Sequence, residues 1–247
     1  PLFTRLIANM IAFEGVDPNR IYLTGYSAGG DGVYQLAPRM ADQLAAAAMM
    51  AGHPNETQPL GLRNLAYTMH VGGEDAAYNR NNIARQWVEK LAELRKDDPG
   101  GYLHWAKVHE GKGHWMDGDD AEGVVWMLQH RRNRHPDRVV WLQDDVLHDR
   151  FYWLAVDRSQ AAAGQKVIAN RDGQRIVFDH SDAGSLQLLL TDDMLDLDQP
   201  IAVESGGSTV WEGSAERTIR TIIETLVDRG DPTAIYTSRV TVEFSKQ

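Results

Sequence analysis

Residues 20–37 read RIYLTGYSAGGDGVYQLA, a short apolar, β-branched run that breaks into four glycines around one serine. Ile21 to Thr24 suits a buried strand, and the residues after Gly29 suit a helix to about Arg39. Gly25-Tyr26-Ser27-Ala28-Gly29 between them fits G-x-S-x-G, a sharp strand-to-helix turn that lifts a serine hydroxyl above the end of a sheet. The glycines answer a steric demand. The serine backbone is strained there, and side chains two positions to either side would collide with strand and helix. N–H groups at a helix start lack intrahelical acceptors, so Ala28 N–H is the expected donor to an oxyanion.

A serine hydroxyl is a weak nucleophile at neutral pH and needs a base with an orienting acid. Leu65 to Val71 reads as a strand, and Asp75 follows it in HVGGEDAAYNRN; Glu74 is the neighbouring alternative. Tyr102 to His109 alternates like a strand, and His114 follows in a glycine-bounded loop, with His109 and His104 as its rivals. Both chosen residues fall past the carboxyl ends of strands, where a parallel sheet presents its site. Trp115, beside His114, and Tyr26, beside the serine, are the expected substrate-contacting aromatics.

Around these motifs the first part of the chain alternates strand and helix patterns. A helical run covers Leu2 to Phe13, and LAAAAMMAG (44–52) is apolar without period, as a parallel strand covered on both faces would be. Arg80 to Lys96 and Ala121 to Gln129 read as helices, giving four strand-then-helix units and a parallel α/β sheet. Beyond NRHPDR the rhythm changes to short strands punctuated by Asp-Gly, Gly-Gly and Asp-Pro, with helical character only over Glu216 to Val227. The expected organisation is therefore an α/β domain over 1–135 and a β-rich, sandwich-like domain with one helix over 136–247.

Composition narrows the function classes. Hydrophobic content of 43% over 247 residues supports one sizeable core or two modest ones. Most of the formal charge of −10 falls in residues 136–247, and such a surface repels nucleic-acid phosphates and anionic lipid. Cysteine is absent, which removes disulfides and thiolate chemistry. No run approaches the ~18 apolar residues of a membrane span, and localisation stays open. Neither a cofactor nor a metal is expected: His104, His109 and His114 do not share a strand side or helix face, and TDDMLDLD (191–198) lacks the glycine and closing glutamate of a calcium loop. The Asn55-Glu56-Thr57 acceptor triplet is too short a pattern to carry weight.

The segments GVDPNRIYLTGYSAGGDGVYQLA, HVGGEDAAYNRN and GKGHWMDGDDA together resemble the carboxyl half of an α/β-hydrolase. The likeness is to the serine esterase and prolyl-oligopeptidase-like group, including polyhydroxybutyrate-depolymerase-like and feruloyl-esterase-like enzymes, and covers residues 1 to 130. Val71 stands where that group usually has the histidine of H-G-x-x-D. The resemblance implies Ser27 as nucleophile, Asp75 as orienter and His114 as general base, acting on a small ester, or alternatively a peptide, through an acyl-enzyme. In the family, strands preceding the elbow supply a second oxyanion N–H, whereas here a single helix precedes it. The expectation is thus a truncated fold with reduced activity, or a remnant serving as a binding or assembly module. It is also that strand Ile21 to Thr24 becomes a sheet edge, covered by a second copy or a separate amino-terminal fragment.

Overall fold

Three alanines and two methionines make up one fully buried strand, and the small volume of alanine lets helices approach the sheet closely. The computed structural model describes residues 2–244. By contacts the chain divides into two units, one of residues 19–133 and the other of residues up to Pro18 together with Arg134 onward. The first helix, α1 (Leu2–Glu14), belongs to the second of these and packs against its carboxyl-terminal helix. Among the described residues no helix is long and apolar enough to cross a membrane.

The 19–133 unit is a parallel sheet with helices. Its elements run β1 (Tyr22–Tyr26), α2 (Ala28–Arg39), β2 (Ala46–Met50), β3 (Ala66–Gly72), α3 (Arg80–Asp97), β4 (His104–His109) and α4 (Ala121–Met127). Strand order is β1-β2-β3-β4, every pairing parallel. Each residue of β2 and β3 is buried, which explains the unbroken apolar run of β2, while β3 also buries Thr68 and His70. Strand β1 stands at the edge of this sheet. Short 3-10 turns, Ala41–Gln43 and Pro59–Asn64, flank β2, so no α-helix follows it and the strand-then-helix pattern with an α-helix occurs three times rather than four.

The second unit is β-rich, as the turn-punctuated sequence predicts. It holds β5 (Arg138–Leu142), β6 (Arg150–Phe151), β7 (Leu154–Ala155), β8 (Lys166–Asp172), β9 (Arg175–Ser181), β10 (Ser185–Leu190), β11 (Ile201–Ser205), β12 (Ser208–Gly213), α5 (Ile219–Arg229) and β13 (Ser238–Glu243). Two sheets result, ordered β13-β10-β7-β6 and β12-β11-β9-β8-β5. Their inner faces meet: Trp141 of β5 stacks on Phe151 of β6 at 6.0 Å, and Phe178 of β9 meets Phe244, just past β13, at 4.9 Å. Burial along β13 alternates strictly, the signature of a strand with one face inward. The β8–β9 and β11–β12 hairpins turn on Gly173 and Gly206-Gly207 at positive φ, which is why those turns were readable. Thr218 caps α5 by accepting from Thr221 N–H, and Gly230 ends it at φ 61°. The acidic turn near 191–198 is filled by a cation of the chain itself, since Arg217 pairs with both Asp192 and Asp198.

Candidate active site

Three loops at the carboxyl ends of β1, β3 and β4 converge. The first is the elbow between β1 and α2, where Ser27 sits at φ 55°, ψ −119°, a conformation that β-carbon-bearing residues rarely hold. Its amide donates to Met50 O at 2.9 Å, tying the turn to the end of β2, and its carbonyl accepts from Asp31 N–H at 3.0 Å. Two glycines are compulsory, Gly25 and Gly30, whereas Gly29, expected to be the crowded partner of Gly25, has nothing within 4 Å of an added Cβ. A Cβ on Gly25 would lie 2.2 Å from Gly29 O, and one on Gly30 would lie 2.4 Å from Met50 O and 2.9 Å from Gly52 Cα.

That crowding reverses an ordinary expectation. Alanine in a helix is usually better than glycine by up to about 1 kcal/mol, and Gly32, with nothing within 4 Å of its added Cβ, should behave so. Gly30→Ala should instead destabilise by about 3 kcal/mol or more, because both colliding partners are backbone. Chemical denaturation of the two variants checks the opposite signs.

The second loop follows β3. Asp75 N–H donates to Gly72 O at 3.1 Å, Asn81 donates through its side chain to Gly73 O at 2.8 Å, and Tyr78 and Asn79 turn the chain at positive φ into α3. This places the Asp75 side chain inside, only 1% exposed, while Glu74 remains on the surface. Burial therefore separates the two acids that the sequence left side by side. The third loop follows β4. Gly73 N–H donates to His109 O and Glu74 N–H to Lys112 O, both at 2.9 Å, so the acid and histidine loops are laced by backbone bonds. Glycine at 72 permits it: a Cβ there would meet Gly113 O at 2.0 Å.

His114 Nε2 lies 3.0 Å from Ser27 Oγ, and His114 Nδ1 lies 2.7 Å from Asp75 Oδ2. An ionised carboxylate only accepts, so Nδ1 carries the hydrogen and Nε2 presents a lone pair to the serine hydroxyl. The sequence-chosen trio is thus one hydrogen-bonded chain drawn from three separate loops. The rival histidines have other partners: His104 Nδ1 meets Tyr102 O at 2.8 Å, and His109 faces His70. Ala28 opens α2 immediately after the serine, placing its N–H among those a helix leaves without an internal acceptor.

Two solved esterases resemble part of this chain. A thermostable esterase aligns with a TM-score of 0.45 and 21% identity over 53% of this chain and 36% of its own. Esterase PE8 aligns with a TM-score of 0.41 and 20% identity over 52% of this chain and 59% of its own. The chain accordingly spans less than two thirds of the length of either. No family model matches the sequence, and no curated protein matches it.

Arg80 and Lys112 shape the site without a sequence signal, and Tyr26, expected to contact substrate, has its hydroxyl engaged by the histidine loop. Arg80 Nη1 reaches Asp75 Oδ1 at 3.1 Å, occupying the carboxylate oxygen that His114 leaves. The Tyr26 hydroxyl donates to His114 O and accepts from Met116 N–H at 3.2 Å, so this tyrosine grips the histidine loop. Burial is the main reason its phenol is pushed up. Trp115 is 67% exposed, with its ring 5.4 Å from that of Tyr26, and is available to contact a substrate. Lys112 pairs with Asp117 and Asp119, bracing the far side of the same loop. Beneath it, burial drives the His70 imidazole down to about 4, so it is neutral near pH 7.

Proposed function

We propose that this chain is a serine hydrolase that cleaves small carboxylic esters through an acyl-enzyme. What supports the reading is the continuous Ser27–His114–Asp75 hydrogen-bond chain, assembled at the carboxyl ends of parallel strands on a strained elbow. In the forward half, Ser27 Oγ bonds to the ester carbonyl carbon while its proton passes to His114 Nε2. Asp75 accepts from Nδ1–H and stabilises the imidazolium, and Ala28 N–H supports the oxyanion. The tetrahedral adduct collapses by breaking the carbon–alkoxy bond, and Nε2 returns the proton to the departing alcohol. Water then repeats the sequence, with His114 as base, and the carboxylic acid leaves with Ser27 restored.

Labelling with a fluorophosphonate, alongside hydrolysis of a short-chain p-nitrophenyl ester, tests this. Stoichiometric labelling at Ser27 is expected; an unlabelled chain would favour a scaffold or binding module over an enzyme.

Arg80 enters this reading as a positioning residue. Its side chain is only 11% exposed, and its contact with Oδ1 fixes the Asp75 carboxylate whose other oxygen meets the imidazole. Arg80→Met should lower kcat by about 10- to 100-fold through lost alignment, with KM little changed. It should also move the acid limb of the pH–rate profile to higher pH, because removing a positive charge stabilises the protonated imidazole. Arg80→Lys should restore part of both. A lowered kcat with an unmoved acid limb in Arg80→Met would reduce Arg80 to a packing residue.

A further inference from the structure

The face of the sheet under α4 carries a second group of histidines, unrelated to the hydrolytic chain. Register pairs Thr68 with Trp105, His70 with Lys107 and Gly72 with His109, so these side chains of β3 and β4 share one side. His70 is fully buried and His109 is 5% exposed. Their rings are held with His70 Nδ1 3.1 Å from His109 Nε2. Glu122, in the first turn of α4, completes the group, and one ligand atom from each of the three lies within 4.8 Å of the others.

We propose that His70 Nδ1, His109 Nε2 and a Glu122 carboxylate oxygen form a site for a divalent transition-metal ion of the zinc type. Two nitrogens bound to one tetrahedral ion at about 2.0–2.1 Å stand about 3.3 Å apart. The facing imidazoles already lie within a few tenths of an ångström of that. The second nitrogen of His70, Nε2, lies 3.1 Å from Thr68 Oγ1, the kind of outer bond that fixes the tautomer of a metal-bound histidine. Helix α4 is seated directly over this ring: a Cβ on Gly123 would lie 2.6 Å from His70 Nε2. Lys107 pairs with Glu122 Oε1, which leaves the other carboxylate oxygen for the ion.

Without metal, one hydrogen lies between the two rings; with it on His109 Nε2, His70 Nδ1 accepts it and His70 Nε2 donates to Thr68. Binding moves that His109 hydrogen to its Nδ1, with no net proton released from neutral rings. The ion would join β3, β4 and α4. Asp75 and His114 each lie five residues beyond a proposed ligand, so the ion would stiffen the two strands that carry them.

The test is a titration of the chelator-treated full chain with Co²⁺, read by its visible bands, and with Zn²⁺, read by competition and thermal unfolding. One equivalent of Co²⁺ with the spectrum of a low-symmetry four- or five-coordinate ion is expected. Saturating Zn²⁺ should raise the unfolding midpoint by about 5 °C or more. His109→Ala and Glu122→Gln should each weaken binding by about 100-fold or more, and Thr68→Val by about 10- to 100-fold. His114→Ala should leave stoichiometry and affinity unchanged. Glu122 is partly exposed, so its variant reports even where the buried histidine variant fails to fold. Absence of the Co²⁺ bands in the unsubstituted chain, binding retained in Glu122→Gln, or binding lost in His114→Ala would each overturn the site.

Discussion

Ser27→Ala is expected to reduce kcat on a short-chain p-nitrophenyl ester by on the order of 10⁶-fold, to a residue of catalysis that binding and the oxyanion donor alone can supply. The argument is chemical, since no other hydroxyl among the described hydrogen bonds meets His114 Nε2. A paired measurement strengthens it. Ser27 is held at φ 55°, ψ −119°, a conformation that costs roughly 1–3 kcal/mol for a residue with a Cβ. Ser27→Gly should therefore be as inactive as the alanine variant yet more stable by about 1 kcal/mol or more, relieving strain that alanine retains. Activity persisting in both variants would remove Ser27 from the chemistry.

Asp75→Asn is expected to cost about 10⁴-fold in kcat while leaving the fold in place. The asparagine amide has the same shape, but its NH₂ can face His114 Nδ1 and donate to it. The imidazole then keeps its hydrogen on Nε2, the atom that must receive the serine proton, and the base is blocked. Arg80 makes this outcome easier to reach, because its cation prefers the amide oxygen and so turns the NH₂ toward His114. Glu74 cannot substitute, being exposed while Asp75 is buried. An Asp75→Asn enzyme within tenfold of the unsubstituted one would show that Asp75 does not orient the base.

Much of this was legible in the sequence because its causes are local. Ile21 to Thr24, the glycine at 25, and the positions of Asp75 and His114 just past strand-like runs all follow from patterns acting over a few residues. Strand β1 ends at Tyr26, two residues beyond the expected strand, because the parallel ladder with β2 continues to Met50. What was not legible depends on pairing across long separations. His70 and His109 are 39 residues apart, and only the β3–β4 register brings their rings together. Spacing along one strand relates 104, 109 and 114 and carries no information about a neighbour 39 residues away. Arg80 and Tyr26 likewise reveal their tasks only once separate loops are folded side by side. The order of strands in the β-rich unit, where β9 and β11 run parallel among antiparallel neighbours, has no local signature at all.

The Tyr26 clasp bears on how the site tolerates thermal breathing. One phenol, adjacent in the chain to the attacking oxygen, is fastened to the main chain at both 114 and 116. Any sway of the elbow drags the imidazole's tether with it, so the gap across which a proton must hop is buffered against excursions that would otherwise open it. The coupling acts as a yoke: alignment survives because the two partners drift in phase.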